Sequence, residues 1–91
     1  AFQLSRPAPN PAVGAAEVRF TVGRAGPVRL DVYDVLGRQV RNLTDGVREP
    51  ETYLVRWDGN DERGRRVGSG VYFYRLSAPG FEQVRKMTLL R

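Results

Sequence analysis

The sequence predicts an all-β domain, an immunoglobulin-like (fibronectin III-like) antiparallel β-sandwich of about seven strands, and three observations carry that prediction. Apolar residues alternate with polar ones in short bursts, at a period of two rather than the 3.6-residue period of a helix. Gly, Pro, Asp and Asn separate the bursts at intervals of roughly 8 to 12 residues, the turn spacing of a sandwich. Finally, 91 residues with 41% hydrophobic and 27% charged side chains suit one small domain with a single apolar layer. The expected domain is therefore residues 1–91, with 1–11 an extended N-terminal strand or linker.

The elements follow in order. An opening strand is expected over Phe2 to Leu4. Ala16 to Val22 puts Val18, Phe20 and Val22 on one face and Glu17, Arg19 and Thr21 on the other. After the turn residues Gly23 to Pro27, Val28, Leu30 and Val32 alternate with Arg29, Asp31 and Tyr33. Both segments read as strands of a half-buried antiparallel sheet. Val40 and Leu43 mark a short fourth segment, Tyr53 to Trp57 a fifth, Val71 to Ala78 a sixth and Gln83 to Leu90 a seventh. In the sixth, Tyr72, Tyr74 and Leu76 share one face while Val71 and Phe73 occupy the other. Apolar bulk on both sides makes that strand central.

Two segments share the pattern Asp-x-x-Gly-Arg-x-Val: Asp34 to Val40 and Asp61 to Val67. Each reads as the same structural turn. The Asp side chain accepts backbone N–H groups ahead of it, and Gly37 or Gly64 takes the left-handed position that returns the chain. Asp58 and Gly59 belong to the second turn region.

Composition excludes several chemistries. With no Cys and no His, thiol nucleophiles, Ser-His-Asp triads, disulfides and the commonest zinc and haem ligand sets have no residues to use. The acidic run Asp58 to Gly64 does not fit an EF-hand calcium loop, because Arg63 and Ser69 stand where that loop needs Gly and a bidentate Glu. Asp58, Asp61 and Glu62 lie on a turn with no second lobe to shield a proton transfer. Ser5, Ser69 and Ser77 have no histidine base. The expectation is no enzyme, no cofactor and no metal.

The net charge is +5, carried by arginine, with Lys86 the only lysine. Arg19, Arg29, Arg56, Arg75 and Arg85 fall in different strands, near Glu17, Asp31 and Glu82. That arrangement reads as cross-strand pairing on solvated faces rather than as a nucleic-acid site. Trp57, Tyr53, Tyr72, Tyr74 and Phe20 are expected in the core, one of them as a tyrosine corner, rather than on a sugar-binding platform. No apolar run reaches the roughly 18 residues of a membrane span, and Ala1 to Ser5 lacks the pattern of a signal peptide. Asn42-Leu43-Thr44 matches an N-glycosylation acceptor.

Read as an ordered set, these segments resemble a known group. The set comprises Pro9-Asn10-Pro11; Val18 to Val22; Val28 to Arg38; Val55 to Asp61 followed by Gly64; Gly68 to Leu76; and the closing Lys86-Met87-Thr88-Leu89-Leu90-Arg91. The chain is similar to the C-terminal sorting domains of proteins exported by the bacterial type IX (Por) secretion system, and to the immunoglobulin-like domain of flagellar hook-capping proteins. The resemblance implies a non-catalytic label, read by export machinery and then cleaved or left at the cell surface. It places the recognised part in Pro9, Asn10 and Pro11, in the strand of Gly70 and Tyr72, and in Lys86, Met87, Leu89, Leu90 and Arg91.

The expected partners are proteins, either secretion machinery or neighbouring subunits, with no nucleic acid and no membrane insertion. Recognition by strand addition would use a sheet edge such as the last strand. The expected location is outside a Gram-negative bacterium, secreted or at its surface, reached via the periplasm. The alternative reading is a self-associating extracellular subunit of a filament or adhesive layer, homo-oligomeric through edge strands or through the donated segment Ala1 to Pro11.

Overall fold

The computed structural model describes all 91 residues and contains eight strands and no helix. They are β1 (Gln3–Leu4), β2 (Ala12–Val13), β3 (Ala16–Thr21), β4 (Gly26–Tyr33), β5 (Gln39–Arg48), β6 (Thr52–Trp57), β7 (Gly70–Ala78) and β8 (Phe81–Leu90). Two sheets result, a three-stranded one ordered β1-β3-β6 and a five-stranded one ordered β2-β8-β7-β4-β5. Neighbours are antiparallel except for β2 and β8, which run parallel.

Alternation decides which side chains enter the layer between the sheets. Leu4 of β1, with Val18 and Phe20 of β3, faces Leu30, Val32, Tyr74, Leu76, Met87 and Leu89 of the wider sheet, all essentially inaccessible to water. Trp57 closes one end. Its ring meets Tyr72 and Tyr74 edge-on, at centroid distances of 5.3 and 6.2 Å, and its indole N–H donates to Asn60 O at 2.9 Å. Such pairs add to area burial, and the donated bond removes the cost of burying the indole nitrogen. Tyr72, at the start of β7, donates its hydroxyl to the Gly68 carbonyl four residues upstream at 2.7 Å, the bond of a tyrosine corner.

β7 lies between β8 and β4, the interior place that its two apolar faces require. Two expectations about strand extent need correction. The segment marked by Val40 and Leu43 is a ten-residue strand, and the sheet holds an eighth element, β2, of two residues. β5 is an outer strand whose register against β4 shifts twice, at Leu30/Asp31 and at Val32/Tyr33. Bulges break the period-two pattern, so its apolar signal faded after Leu43. β2 is too short to alternate at all.

The Asp34 and Asp61 turns have the same bonds. Asp34 Oδ1 accepts from Leu36 N and Arg38 N at 2.9 and 3.0 Å, and Asp61 Oδ1 accepts from Arg63 N and Arg65 N at 2.9 and 3.0 Å. Gly37 and Gly64 take φ of 80° and 79°, a region that costs glycine nothing. The first turn joins the long pair β4 and β5. The second closes only one bridge, Asn60 to Arg66, within the connection from β6 to β7.

Of the five strand arginines expected to pair, Arg29 and Arg75 meet carboxylates, Arg85 donates to the Leu4 carbonyl, and Arg19 and Arg56 form no ion pair. Arg29 Nε donates to the buried Asp31 carboxylate at 2.8 Å, whose other oxygen accepts from the Asn42 side chain at 2.8 Å. Arg75 lies over the Tyr33 ring, 4.8 Å from its centroid, and 3.3 Å from Glu82. The Asn42 amide nitrogen is therefore turned onto Asp31 and onto Thr44 O at 3.0 Å, and glycosylation at Asn42 would have to break both bonds.

Two outcomes test this packing. Leu76→Ala, at the centre of the core, should lower unfolding free energy by about 2–5 kcal/mol in urea denaturation, through lost transfer energy and the cavity left behind. Asp34 and Asp61 are each held below the ordinary carboxylate range, chiefly by the backbone N–H of Arg38 and of Arg65 respectively. A folded pKa below the unfolded one adds stability at neutral pH that is lost as pH falls through the folded value. Asp61→Ala should therefore be less stable than the parent at pH 7, and the gap should close as the pH falls below about 4.

Candidate functional site

The residues singled out in the first and last segments converge. β8 alternates so that Met87 and Leu89 point inward and are fully buried, while Lys86 and Leu90 point out. Gly70 and Tyr72 of β7 lie directly across from Leu89 and Met87. The Tyr74 hydroxyl donates to Met87 Sδ at 3.5 Å, and burial pushes the pKa of that hydroxyl upward. Met87, Leu89 and Tyr72 thus hold the strand in place, and they offer a partner little surface.

Residues 4–14 pack along the other side of β8 and meet its backbone only from Thr88 to Leu90. Arg85 Nε donates to Leu4 O, and Leu4 N donates to Gln83 Oε1, both at 2.8 Å. Thr88 N donates to the side-chain oxygen of Asn10 at 3.1 Å. Ala12 and Val13 then pair with Leu89 and Leu90, and Gly14 N donates to Leu90 O at 3.0 Å. The expected edge on the last strand is closed from Thr88 to Leu90, while the outward backbone groups of Glu82, Val84 and Lys86 have no backbone partner. Pro9 and Pro11, both in cis peptides, flank Asn10 and leave it exposed beside the strand that it caps.

Arg91 fastens the end of the strand to the loop that follows β6. Its N–H donates to Ser69 Oγ at 2.9 Å, its Nε to Val67 O at 2.6 Å and its Nη2 to Gly59 O. Gly59 must be glycine for two reasons. Its φ is 80°, and a Cβ there would collide with the Gly14 carbonyl oxygen and crowd the Arg91 guanidinium. Asp58 beside it accepts from Asn60 N and Arg41 Nη1, both at 3.0 Å. Burial raises its pKa, yet those donors and the Arg41 charge outweigh that and leave it below the ordinary value. Its oxygen serves the loop, and no group of three or more acidic side chains converges there on a point where a cation would sit.

What remains accessible is a surface. Val13 and Leu90, paired across β2 and β8, are 74% and 43% exposed. Beside them Arg6, Asn10, Val84, Arg85 and Lys86 line a depression of about 250 Å³. Such a patch, part apolar and part cationic, suits contact with a protein and has no enclosed place for a reaction. Asp34, Gly37, Asp61 and Gly64 lie in their turns, outside this patch. Three partners escaped sequence reasoning: Asn10 with Thr88, Gly14 with Leu90, and Gly59 with Arg91. Each joins residues more than 30 positions apart through a backbone group, and a backbone group carries no sequence signal.

The comparisons with known proteins agree with the fold. Part of dimeric latent PorU from Porphyromonas gingivalis is similar in structure, at 24% identity over 99% of this chain and 9% of PorU, with a TM-score of 0.74. PorZ from the same organism, an essential surface component of its type-IX secretion system, matches at 22% identity over 100% of this chain and 12% of its own, with a TM-score of 0.61. FlgD of Xanthomonas campestris, a hook-capping protein of flagellar assembly, matches at 24% identity over 96% of this chain and 65% of FlgD, with a TM-score of 0.64. The chain therefore spans only about a tenth of PorU and PorZ. No curated protein matches it. The secretion system C-terminal sorting domain family matches residues 8–89, from the segment that caps β8 to the penultimate residue of β8 itself, and the chain belongs to that family.

Proposed function

We propose that this domain is the part of a type IX cargo protein that the export machinery binds, and that it acts without catalysis. The observation that carries the reading is the convergence of the Asn10 segment, β2 and β8 into one docked unit with an outward patch of Val13, Lys86 and Leu90. A partner reading that patch would recognise residues from both ends of the chain at once, and hence the folded state. Family membership supports a sorting role. Attachment of the cargo at the cell surface after passage through the periplasm extends the same reading.

The non-catalytic character rests on inventory and geometry. There is no histidine or cysteine, and Ser69, Asp58 and Asp61 are each occupied in holding backbone groups. Pro9, Asn10, Pro11, Gly70, Tyr72, Met87, Leu89 and Arg91 shape and anchor the unit. Lys86 and Leu90 are exposed members of that set on β8 itself, and Pro9 and Pro11 are exposed in the segment that caps it.

Fusion of residues 1–91 to a periplasmic reporter, in a bacterium carrying the type IX machinery, tests the proposal. The reporter should reach the surface or medium, and the double substitution Lys86→Glu, Leu90→Glu should reduce export about tenfold, the effect of roughly 1.4 kcal/mol of lost affinity. The variant's unfolding curve should match the parent's, since both side chains are exposed. Retention of the intact fusion in the periplasm would remove the proposal. Separately, Arg91→Ala should lose about 1–2 kcal/mol of stability through its carbonyl bonds, and hydrogen exchange should accelerate at Leu89 and Leu90.

A further inference from the structure

A sandwich of open sheets leaves rows of backbone N–H and C=O groups without ladder partners, and proteins usually blunt such edges. This one blunts most of them. At β8, Asn10 and β2 cover the end from Thr88 to Leu90, and the remaining outward stretch, Glu82 to Lys86, carries charged side chains at both ends. On β5, the N–H of Glu62 donates to Val40 O at 3.2 Å, the Glu62 carboxylate accepts from Asn42 N, and two register shifts distort the strand. β1 is two residues long, and the bridge of Ala8 to Glu17 continues its cover of β3.

β6 has no such cover. It bonds to β3 alone, through six consecutive pairs with no bulge, and contains no proline, glycine or lysine. Alternation identifies its free groups. Ser5 N donates to Arg19 O, and Ala8 exchanges both bonds with Glu17, so Glu17 and Arg19 of β3 face β1. Val18 and Phe20 therefore face β6, where they oppose Val55 and Tyr53. The N–H and C=O of Thr52, Leu54 and Arg56 are left pointing away from the sheet. Their side chains are exposed, Leu54 by 55%.

We infer that β6 is a self-association edge, pairing antiparallel with β6 of a second copy of this chain about a two-fold axis at Leu54. In that register Leu54 opposes Leu54, and Thr52 opposes Arg56 in both directions. All the free groups are matched, giving about six backbone bonds and one continuous sheet of both copies. A shift by one residue puts donors out of phase. Shifts of two residues leave free groups unmatched, and a register centred on Arg56 sets two arginines face to face. Charge favours the Leu54 register too. The strand is preceded by Glu49 and Glu51, and Arg56 is its penultimate residue, with Asp58 beyond it paired to Arg41, so the two-fold brings the acidic approach of each copy toward Arg56 of the other. The inference does not depend on the export reading.

Sedimentation and amide hydrogen exchange on the purified chain test it together. The parent should form a dimer as concentration rises to about 1 mM, the weak end of specific association, and the amides of Thr52, Leu54 and Arg56 should slow in step. Leu54→Pro removes an N–H that the β3 ladder does not use and is tolerable on an edge strand. It should abolish the dimer while leaving the unfolding midpoint close to the parent's. Leu54→Lys, which keeps every backbone group, should weaken the dimer at least tenfold and guards against misfolding of the proline variant. A parent that stays monomeric throughout, including one that accepts only a foreign extended peptide on β6, would overturn the inference. So would a dimer that survives both substitutions or leaves the Leu54 amide unprotected.

Discussion

Everything in this molecule depends on one layer of apolar side chains held between two sheets of unequal width. With no disulfide and no metal cluster, that layer is the main source of cohesion, and a chain this short can build only one. Trp57, Phe20, Tyr74, Leu30 and Leu76 fill it. Because strand side chains alternate, filling the layer dictates the opposite faces as well. Each inward residue leaves a neighbour in water, and here many of those neighbours are arginines.

The unequal widths create a second problem, which the chain ends solve. The three-stranded sheet cannot cover the five-stranded one by itself. Residues 4–14 pass from the edge of the narrow sheet to the edge of the wide one, with β1 on the first and β2 on the second. The two prolines around Asn10 shape that crossing, and Asn10 caps Thr88 where no strand pairs. On the far side Arg91 ties the end of β8 to Gly59 and Val67. A sorting function gains from this construction, since the outward patch at Val13, Lys86 and Leu90 exists only when both ends have docked. The unfolded domain would not display it.

Part of the positive charge has a structural account. Arg29, Arg38, Arg41 and Arg75 each have a carboxylate within 4 Å, and most of these pairs are exposed enough to contribute little individually. Asp31 is different. It is fully buried under Arg29 and Asn42 on the outer face of β4, where removing either partner would strand a charge. The acidic run from Asp58 to Glu62 has a similar role, sealing the β5 edge and bracing the Arg91 loop.

The period-two pattern in β3, β4, β6, β7 and β8 was enough to assign the fold class, the inward faces and the central place of β7, because burial between sheets selects directly for alternation. The repeated Asp-x-x-Gly turns were legible for a related reason, since their geometry is local and needs particular residue types. β2, the full length of β5 and the covering of β8 were not legible. They are made by backbone groups and short segments whose partners lie far away in the chain, at Leu89, Glu62 and Leu4. Which edges are closed and which are left bare is thus a property of the assembled sheets. A backbone N–H is the same at every non-proline residue, and only its position in three dimensions decides what it meets.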